Sequence, residues 1–120
     1  MNEDQPVLRV LESTTDDGTL VLSVQGEIDL ATVSTLAAHL DHVCDRAEAV
    51  TFDLRRVGFI DCLGLRHLLS LQADGDACGC RVGFIQGPPP VRRVFELTGT
   101  IAQLSFVDGA ARRTAVAGTT

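Results

Sequence analysis

Residues 57–69 constrain the possible fold more than any other stretch of the chain. They begin with an apolar run, which is typical of a buried strand, and then reach Asp61. Aspartate is favoured at helix N-termini because its carboxylate accepts hydrogen bonds from free backbone N–H groups. Three leucines follow at the i, i+3 and i+4 spacing of one helix face. The stretch therefore predicts a strand, a tight turn and a helix that begins at Cys62.

The start of that helix is the first candidate for a functional site. Cys62 and Leu63 would occupy the first helical positions, where backbone N–H groups lack partners and partial positive charge collects. A phosphate or an anionic group of a partner is favoured at such a place.

Length and charge limit the classes of function. The chain has 120 residues, 45% of them hydrophobic, which is enough for one compact domain with a core. The net charge of −6 argues against direct electrostatic binding to nucleic acid or to anionic lipid surfaces. Only 4% of residues are aromatic, without Trp or Tyr, so stacking on single-stranded nucleic acid is also disfavoured.

The apolar runs and the first residues of the chain predict its cellular compartment. No apolar run is long enough to span a bilayer, and the first residues lack the order of a signal peptide. We therefore expect a cytoplasmic protein without membrane insertion. Residues 1–6 are predicted to be a flexible tail, residues 7–116 the folded domain, and residues 117–120 a frayed terminus.

The cysteines and histidines do not predict a metal site or a cofactor. In a reducing cytosol the four cysteines are expected to be free thiols. Cys78 and Cys80 have one residue between them, whereas a zinc knuckle needs two. His39 and His42 are not separated by four residues, so they are not expected to bind a metal from one helix face.

The remaining pattern predicts a mixed α/β domain. An apolar segment at 7–12 with ambiguous alternation and a clearly alternating strand at 19–25 flank a turn at residues 16–18. This pattern indicates an antiparallel hairpin at the edge of the sheet. Helices and strands then alternate, which favours parallel pairing in one sheet. The last elements are predicted to be a strand at 104–107 and a weak helix at 108–116. The expectation is a mostly parallel mixed sheet with four helices packed mainly on one face.

Three motifs, in this order and at these separations, resemble the STAS domain family of anti-sigma factor antagonists. The first is Gly26-Glu27-Ile28-Asp29 at a strand end. The second is Phe52-Asp53-Leu54, followed by Val57-Gly58-Phe59-Ile60-Asp61-Cys62-Leu63-Gly64-Leu65. The third is Val91-Arg92-Arg93-Val94-Phe95-Glu96-Leu97-Thr98-Gly99. The resemblance covers residues 7–116 and implies a single STAS-type domain.

The resemblance implies a non-enzymatic switch that works by docking, as a monomer or weak dimer. Stand-alone members bind an anti-sigma factor that is also a GHKL-type serine kinase, and so release a sigma factor for transcription. The kinase phosphorylates a serine directly after the motif's aspartate, and the phosphorylated antagonist then dissociates from the anti-sigma factor. The partner-binding surface carried over to this chain comprises Asp61, Cys62, Leu63, Gly64 and Arg66, with Asp29 and Asp53 on neighbouring loops.

The chain departs from the family's pattern at the switch position. Cys62 stands where the phosphorylated serine is expected, and Leu63 follows it, so neither residue has a hydroxyl. The resemblance therefore implies a constitutive binder or one regulated by other means. A redox switch at Cys62 is one alternative, because a helix N-terminus favours the thiolate while Asp61 opposes it.

Two other classes of function remain open beside the antagonist. One is a STAS subunit of a membrane ABC-type lipid transport complex, which the missing serine favours slightly. The other is a ligand sensor or an enzyme, because a fold does not fix a function. Asp29, Asp53 and Asp61 are not accompanied by the lysine that a phosphoacceptor site would need, since the chain has none. We therefore interpret them as helix caps and loop hydrogen-bond acceptors.

Overall fold

The computed structural model describes residues 8–107 and the backbone of 113–119, so the predicted tail at residues 1–6 lies outside the described residues. The elements are β1 Leu8–Thr15, β2 Leu20–Ile28, α1 Val33–Val43, a 3₁₀ turn Cys44–Arg46, β3 Ala49–Ile60, α2 Cys62–Ala77, β4 Arg81–Ile85, α3 Pro89–Thr98 and β5 Arg113–Thr119. The mixed α/β class expected from the sequence is confirmed.

The five strands form one sheet in the order β4-β3-β2-β1-β5. β3 pairs in parallel with β2 and β4, whereas β1 pairs antiparallel with β2 and β5. The predicted hairpin between β1 and β2 is present. It does not form the sheet edge, however, because β5 pairs along the other side of β1. The two kinds of pairing are equally represented, so the sheet is less parallel than expected.

The predicted fourth helix is wrong, and the described residues contain three α-helices. Of the predicted span, residues 108–112 lie outside the described residues, and residues 113–116 belong to β5, which continues to Thr119. The open edge of β1 offers unpaired N–H and C=O groups, and Thr114 and Val116 are β-branched residues that suit a strand. The strand predicted at 104–107 is reduced to one parallel bridge between Phe84 and Phe106.

The main core lies between the sheet and the helices. Phe52 and Phe84 stack with ring centroids 5.6 Å apart, and Phe95 of α3 meets Phe106 edge-on at 5.4 Å. The apolar helix face predicted for α2 is confirmed as buried at Leu65 and Leu68, and Leu69 is partly buried. The buried apolar side chains of α1 and α2 are Val33, Leu36, Leu40, Val43, Leu65, Leu68 and Leu71. Among the described residues, no helix is both long and apolar enough to cross a membrane.

β3 is longer than its neighbours, and this extension positions the candidate site. β4 ends opposite Asp53, so the second half of β3 pairs with β2 alone. Leu20 lies opposite Val50 and Ile28 opposite Ile60, so eight steps along β2 match ten along β3. The register shifts twice on the way, which indicates two β-bulges of one extra residue each. β3 therefore runs directly into the turn before α2.

Candidate docking site at the start of helix α2

Asp61 caps α2 as the sequence predicts. Its backbone is extended (φ −103°, ψ 176°), and its side chain accepts a hydrogen bond of 2.7 Å from the backbone N–H of Gly64. Its own carbonyl accepts from the N–H of Leu65 at 3.0 Å. The carboxylate thus satisfies one of the free N–H groups of the first turn and fixes the direction in which α2 leaves the sheet.

Gly64 lets the start of α2 lie directly against the end of β2. A Cβ at this position would lie 2.5 Å from the carbonyl oxygen of Ile28 and 2.9 Å from its carbon. The same carbonyl accepts a 3.2 Å hydrogen bond from the N–H of Asp61. Gly64 is buried, so it supports the candidate site from beneath and is not itself displayed to solvent.

Large apolar side chains are exposed around this helix start. Leu63 is 45% exposed in the first turn of α2, Phe59 is 48% exposed near the end of β3, and Leu30 is 58% exposed just after β2. The described residues contain five such exposed side chains, and these three share the carboxyl end of β2 and β3. Clustered exposed apolar side chains often mark a surface for a protein partner.

Two of the predicted residues complete this surface. Cys62 is exposed beside Leu63, and Arg66 is exposed one helical turn further along. Side chains three or four positions apart share a helix face, so Arg66 lies on the same side of α2 as Cys62 and Leu63. We call the exposed side chains at this end of the sheet, Leu30, Phe59, Cys62, Leu63 and Arg66, the docking face.

Sequence reasoning missed Leu30 and Phe59. Phe59 was included in the apolar run that leads to the helix and was interpreted as buried. Simple alternation could not have found it, because Phe59 is two residues from the buried Val57 and would share its face. The register shift between Val57 and Phe59 turns Phe59 outward. Leu30 follows directly after Asp29 in a loop, where a large apolar side chain has little to pack against.

Asp29 holds the loop that displays Leu30. Its carboxylate accepts from the N–H groups of Ala31 at 2.9 Å and Thr32 at 3.0 Å. In return, the Thr32 hydroxyl accepts from the N–H of Asp29 at 3.0 Å and donates to the carbonyl of Glu27 at 2.7 Å. Asp29 therefore shapes the loop before α1, and its Oδ1 is already used within the chain.

Asp53 is not on a loop, as had been expected, but in the middle of β3. It is 3% exposed and makes a two-pronged ion pair with Arg55, with Nε–Oδ1 and Nη2–Oδ2 distances both 3.0 Å. This carboxylate, by accepting hydrogen bonds from Arg55, raises the pKa of the guanidinium. A bulge follows Asp53, and the strand continues through Arg55 and Arg56.

The Asp53–Arg55 pair should matter for stability. We expect Arg55→Ala to lower the free energy of unfolding by about 1–2 kcal/mol, because a buried carboxylate would lose its strongest partner. We expect a smaller loss than for a fully buried ion pair, because the Arg55 side chain is 49% exposed and solvent screens its charge. Urea unfolding measures the loss. Arg56→Ala is the matched control and should change stability by less than about 0.5 kcal/mol; equal losses would contradict this role for the pair.

The predicted site residues thus separate into three groups. Asp61, Cys62, Leu63, Gly64 and Arg66 come together at the start of α2, Asp29 supports the adjoining loop, and Asp53 lies apart within β3. Asp61 is a helix cap and Asp29 a loop acceptor, as expected, whereas Asp53 accepts hydrogen bonds from Arg55 within β3. Within the residues that the structure describes, no group of three ligand side chains could hold a metal ion.

Comparison with known proteins identifies the family. A family model described as "Mlab, STAS domain" matches residues 11–104, which is more than half of the chain. The chain belongs to the STAS domain family. This STAS domain protein is also 33% identical over 92 residues to BtrV of Bordetella bronchiseptica, a candidate anti-sigma factor antagonist. The match covers 72% of this chain and 75% of BtrV.

Solved structures agree with this assignment. An anti-sigma factor antagonist from Mycobacterium paratuberculosis matches with a TM-score of 0.67 and 27% identity, over 86% of this chain and 87% of that one. The anti-sigma factor antagonist SpoIIAA in its unphosphorylated form matches with a TM-score of 0.64 and 20% identity, over 83% of this chain and 89% of its own. At that identity the likeness to SpoIIAA supports the fold alone.

Proposed function

We propose that this STAS domain protein is an anti-sigma factor antagonist that uses the docking face to bind an anti-sigma factor of the GHKL serine-kinase class. Binding would withdraw the anti-sigma factor from its sigma factor and permit transcription. The docking face is the observation that carries the proposal, because it exposes apolar side chains at the helix start that the family's motif marks. The relationship to BtrV, a candidate anti-sigma factor antagonist, supports an anti-sigma factor as the partner.

The docking face has the chemistry of a protein interface that recognises an uncharged switch residue. Leu30, Phe59 and Leu63 offer apolar area to bury, and Arg66 offers a charged donor at the rim. Cys62, the residue before Leu63 in the chain, is small and exposed. A phosphoryl group at residue 62 would add about −1.5 to −2 charges beside the Asp61 carboxylate and oppose docking. Such a modification would break the interface without unfolding the domain.

The cysteine at residue 62 sets this protein apart from that mode of control. A thiol is not the hydroxyl that a serine kinase uses, so we propose that docking is not ended by phosphorylation at this residue. The protein would then act as a constitutive binder, as a cytoplasmic monomer or weak dimer without catalytic activity of its own. The folded domain is proposed to begin at residue 7, and β5 extends it beyond the expected end at residue 116 to Thr119.

Phosphorylation by the cognate kinase tests this directly. After incubation with the kinase and ATP, we expect mass spectrometry to find the wild-type protein without phosphate at residue 62. Cys62→Ser, which restores a hydroxyl at the same helix position, should accept phosphate there. Phosphorylation of the wild-type chain to the same extent as Cys62→Ser would contradict the proposal.

A second candidate is the STAS subunit of a membrane ABC-type lipid transport complex. The missing hydroxyl at residue 62 favours it, and so does the family description, which names Mlab. Affinity capture from the native cell distinguishes the two, with mass spectrometry to identify the bound protein. Recovery of a kinase-type anti-sigma factor supports the antagonist, whereas recovery of an ABC permease or its ATPase supports the transport subunit.

A further inference from the structure

Two arginines and a glutamine lie side by side on the face of the sheet opposite the main core. Val10 and Val24 are paired on β1 and β2 and belong to the core cluster, which also contains side chains of α1 and α2. Because side chains alternate along a strand, the next pair, Arg9 and Gln25, points to the other face. Arg56 of β3 lies opposite Gln25 and so shares that face. We call Arg9, Gln25 and Arg56 the basic row.

The basic row is compact enough to contact one segment of a partner. Neighbouring strands lie about 4.8 Å apart, so the Cα atoms of Arg9 and Arg56 are about 10 Å from each other. Both arginines are exposed, and Gln25 between them is partly exposed. The long arginine side chains can therefore reach carboxylates on a single stretch of chain, and the amide of Gln25 can donate a hydrogen bond between them.

Neither guanidinium group of the basic row is neutralised by the described part of the chain. The ion pairs among the described residues use other arginines, and neither Arg9 nor Arg56 forms one. Arg55, the neighbour of Arg56, is already paired with the buried Asp53. Glu27 is exposed on the same face but forms no ion pair with a described residue. The basic row thus presents two unpaired positive charges on a chain whose net charge is −6.

The basic row adjoins the docking face. Glu27 lies directly opposite Phe59, two residues beyond Gln25 on β2. Phe59 therefore shares a face with Arg56, and Gly58 is the extra residue that the bulge places before Phe59. Two residues of a strand span about 7 Å, so a partner that covers Phe59 needs to extend only that far to reach the basic row.

We propose that the basic row binds an acidic segment of the protein that occupies the docking face. The inference rests on the proposed function, because it takes this protein to be the anti-sigma factor. Charge complementarity selects an acidic occupant, since Arg9 and Arg56 have no ion-pair partner among the described residues. Guanidinium groups also bind carboxylates through two parallel hydrogen bonds, which fixes the orientation of the bound segment.

The two surfaces would divide the work of recognition. The apolar side chains of the docking face lose contact with water on binding and supply most of the affinity. The basic row, at the rim of the same interface, attracts the acidic segment and sets the register in which the partner docks. Its contribution should therefore depend on the salt concentration, because exposed charges are screened by ions.

Neutralisation of both arginines tests the proposal. Arg9→Gln/Arg56→Gln keeps two polar side chains and removes two charges. We expect it to raise the dissociation constant for the anti-sigma factor about tenfold at about 0.05 M salt, the effect of losing two partly exposed ion pairs. The difference from the wild-type protein should shrink to about twofold at about 0.5 M salt. Isothermal titration calorimetry with the anti-sigma factor recovered by affinity capture measures both values, and circular dichroism checks the fold.

Arg81→Gln/Arg93→Gln is the matched control. It removes the same number of charges from exposed arginines of β4 and α3, which lie outside the basic row and the docking face. Its dissociation constant should stay within about twofold of the wild-type value. Equal losses for the two double variants would overturn the proposal. A loss that salt does not reduce, or a change in self-association of the chain in place of a change in affinity, would overturn it as well.

Failure of this inference is distinguishable from failure of the proposed function. If the wild-type protein and Arg9→Gln/Arg56→Gln bind the anti-sigma factor equally well, the basic row is not part of the interface, and the proposed function stands. If the wild-type protein binds no anti-sigma factor, both are overturned.

Discussion

Gly64→Ala should lower the free energy of unfolding by about 2–3 kcal/mol, because the added methyl group has no space. It would meet the carbonyl oxygen of Ile28 at 2.5 Å, and this obstacle is backbone that the sheet holds in place. The start of α2 must therefore move away from β2, which strains the hydrogen bond from Asp61 to Ile28. The displacement would also disturb the docking face above it.

Gly58→Ala is the matched control for this substitution. Gly58 lies six residues earlier in β3, and a Cβ there would find no heavy atom within 4 Å. The free energy of unfolding of Gly58→Ala should be unchanged or higher by up to about 1 kcal/mol, because alanine restricts the unfolded chain more than glycine does. Urea unfolding of the two variants gives the comparison. Equal stabilities of Gly64→Ala and Gly58→Ala would show that α2 does not need the close approach to β2.

Leu63→Asp should raise the dissociation constant for the anti-sigma factor about 30-fold or more, the effect of losing one central apolar contact of about 2 kcal/mol. The new carboxylate would have to be desolvated in the interface, close to the carboxylate of Asp61. The fold should remain intact, since the Leu63 side chain already faces solvent over much of its surface. Isothermal titration calorimetry measures the affinity, and circular dichroism checks the fold.

Leu97→Asp makes the same chemical change at a more exposed leucine. Leu97 is 74% exposed on α3, outside the docking face. Its substitution should leave the dissociation constant unchanged within about twofold, since exposed side chains outside an interface contribute little to binding. Equal losses of affinity for the two variants, or no loss for Leu63→Asp, would place the partner elsewhere on the domain.

The start of α2 was predictable from the sequence because its causes are local. The carboxylate of Asp61 and the N–H of Gly64 are three residues apart, and the leucines repeat at helical spacing. The family's motif added the surroundings of Cys62 to the candidate site. Local chemistry and the motif therefore pointed to the same residues, and the structure brings them together.

The features that the sequence did not reveal depend on distant parts of the chain. β5 forms because β1 has a free edge to pair with, and the local sequence near residue 113 does not indicate that pairing. Asp53 lies inside β3 because two bulges let the strand continue through Arg55 and Arg56. The same bulged extension carries Phe59 to the docking face. Strand pairing and register are long-range properties, so local patterns predict them poorly.

Hydrogen exchange of the complex with the anti-sigma factor, read by mass spectrometry, tests the docking face most directly. Partner binding should slow amide exchange at residues 28–31 and 59–66 and leave the amides of α3 at the rates of the free protein. That pattern would place the partner on the start of α2 and the loop beside it. Protection confined to α3, with residues 59–66 unchanged, would contradict the assignment of the docking face.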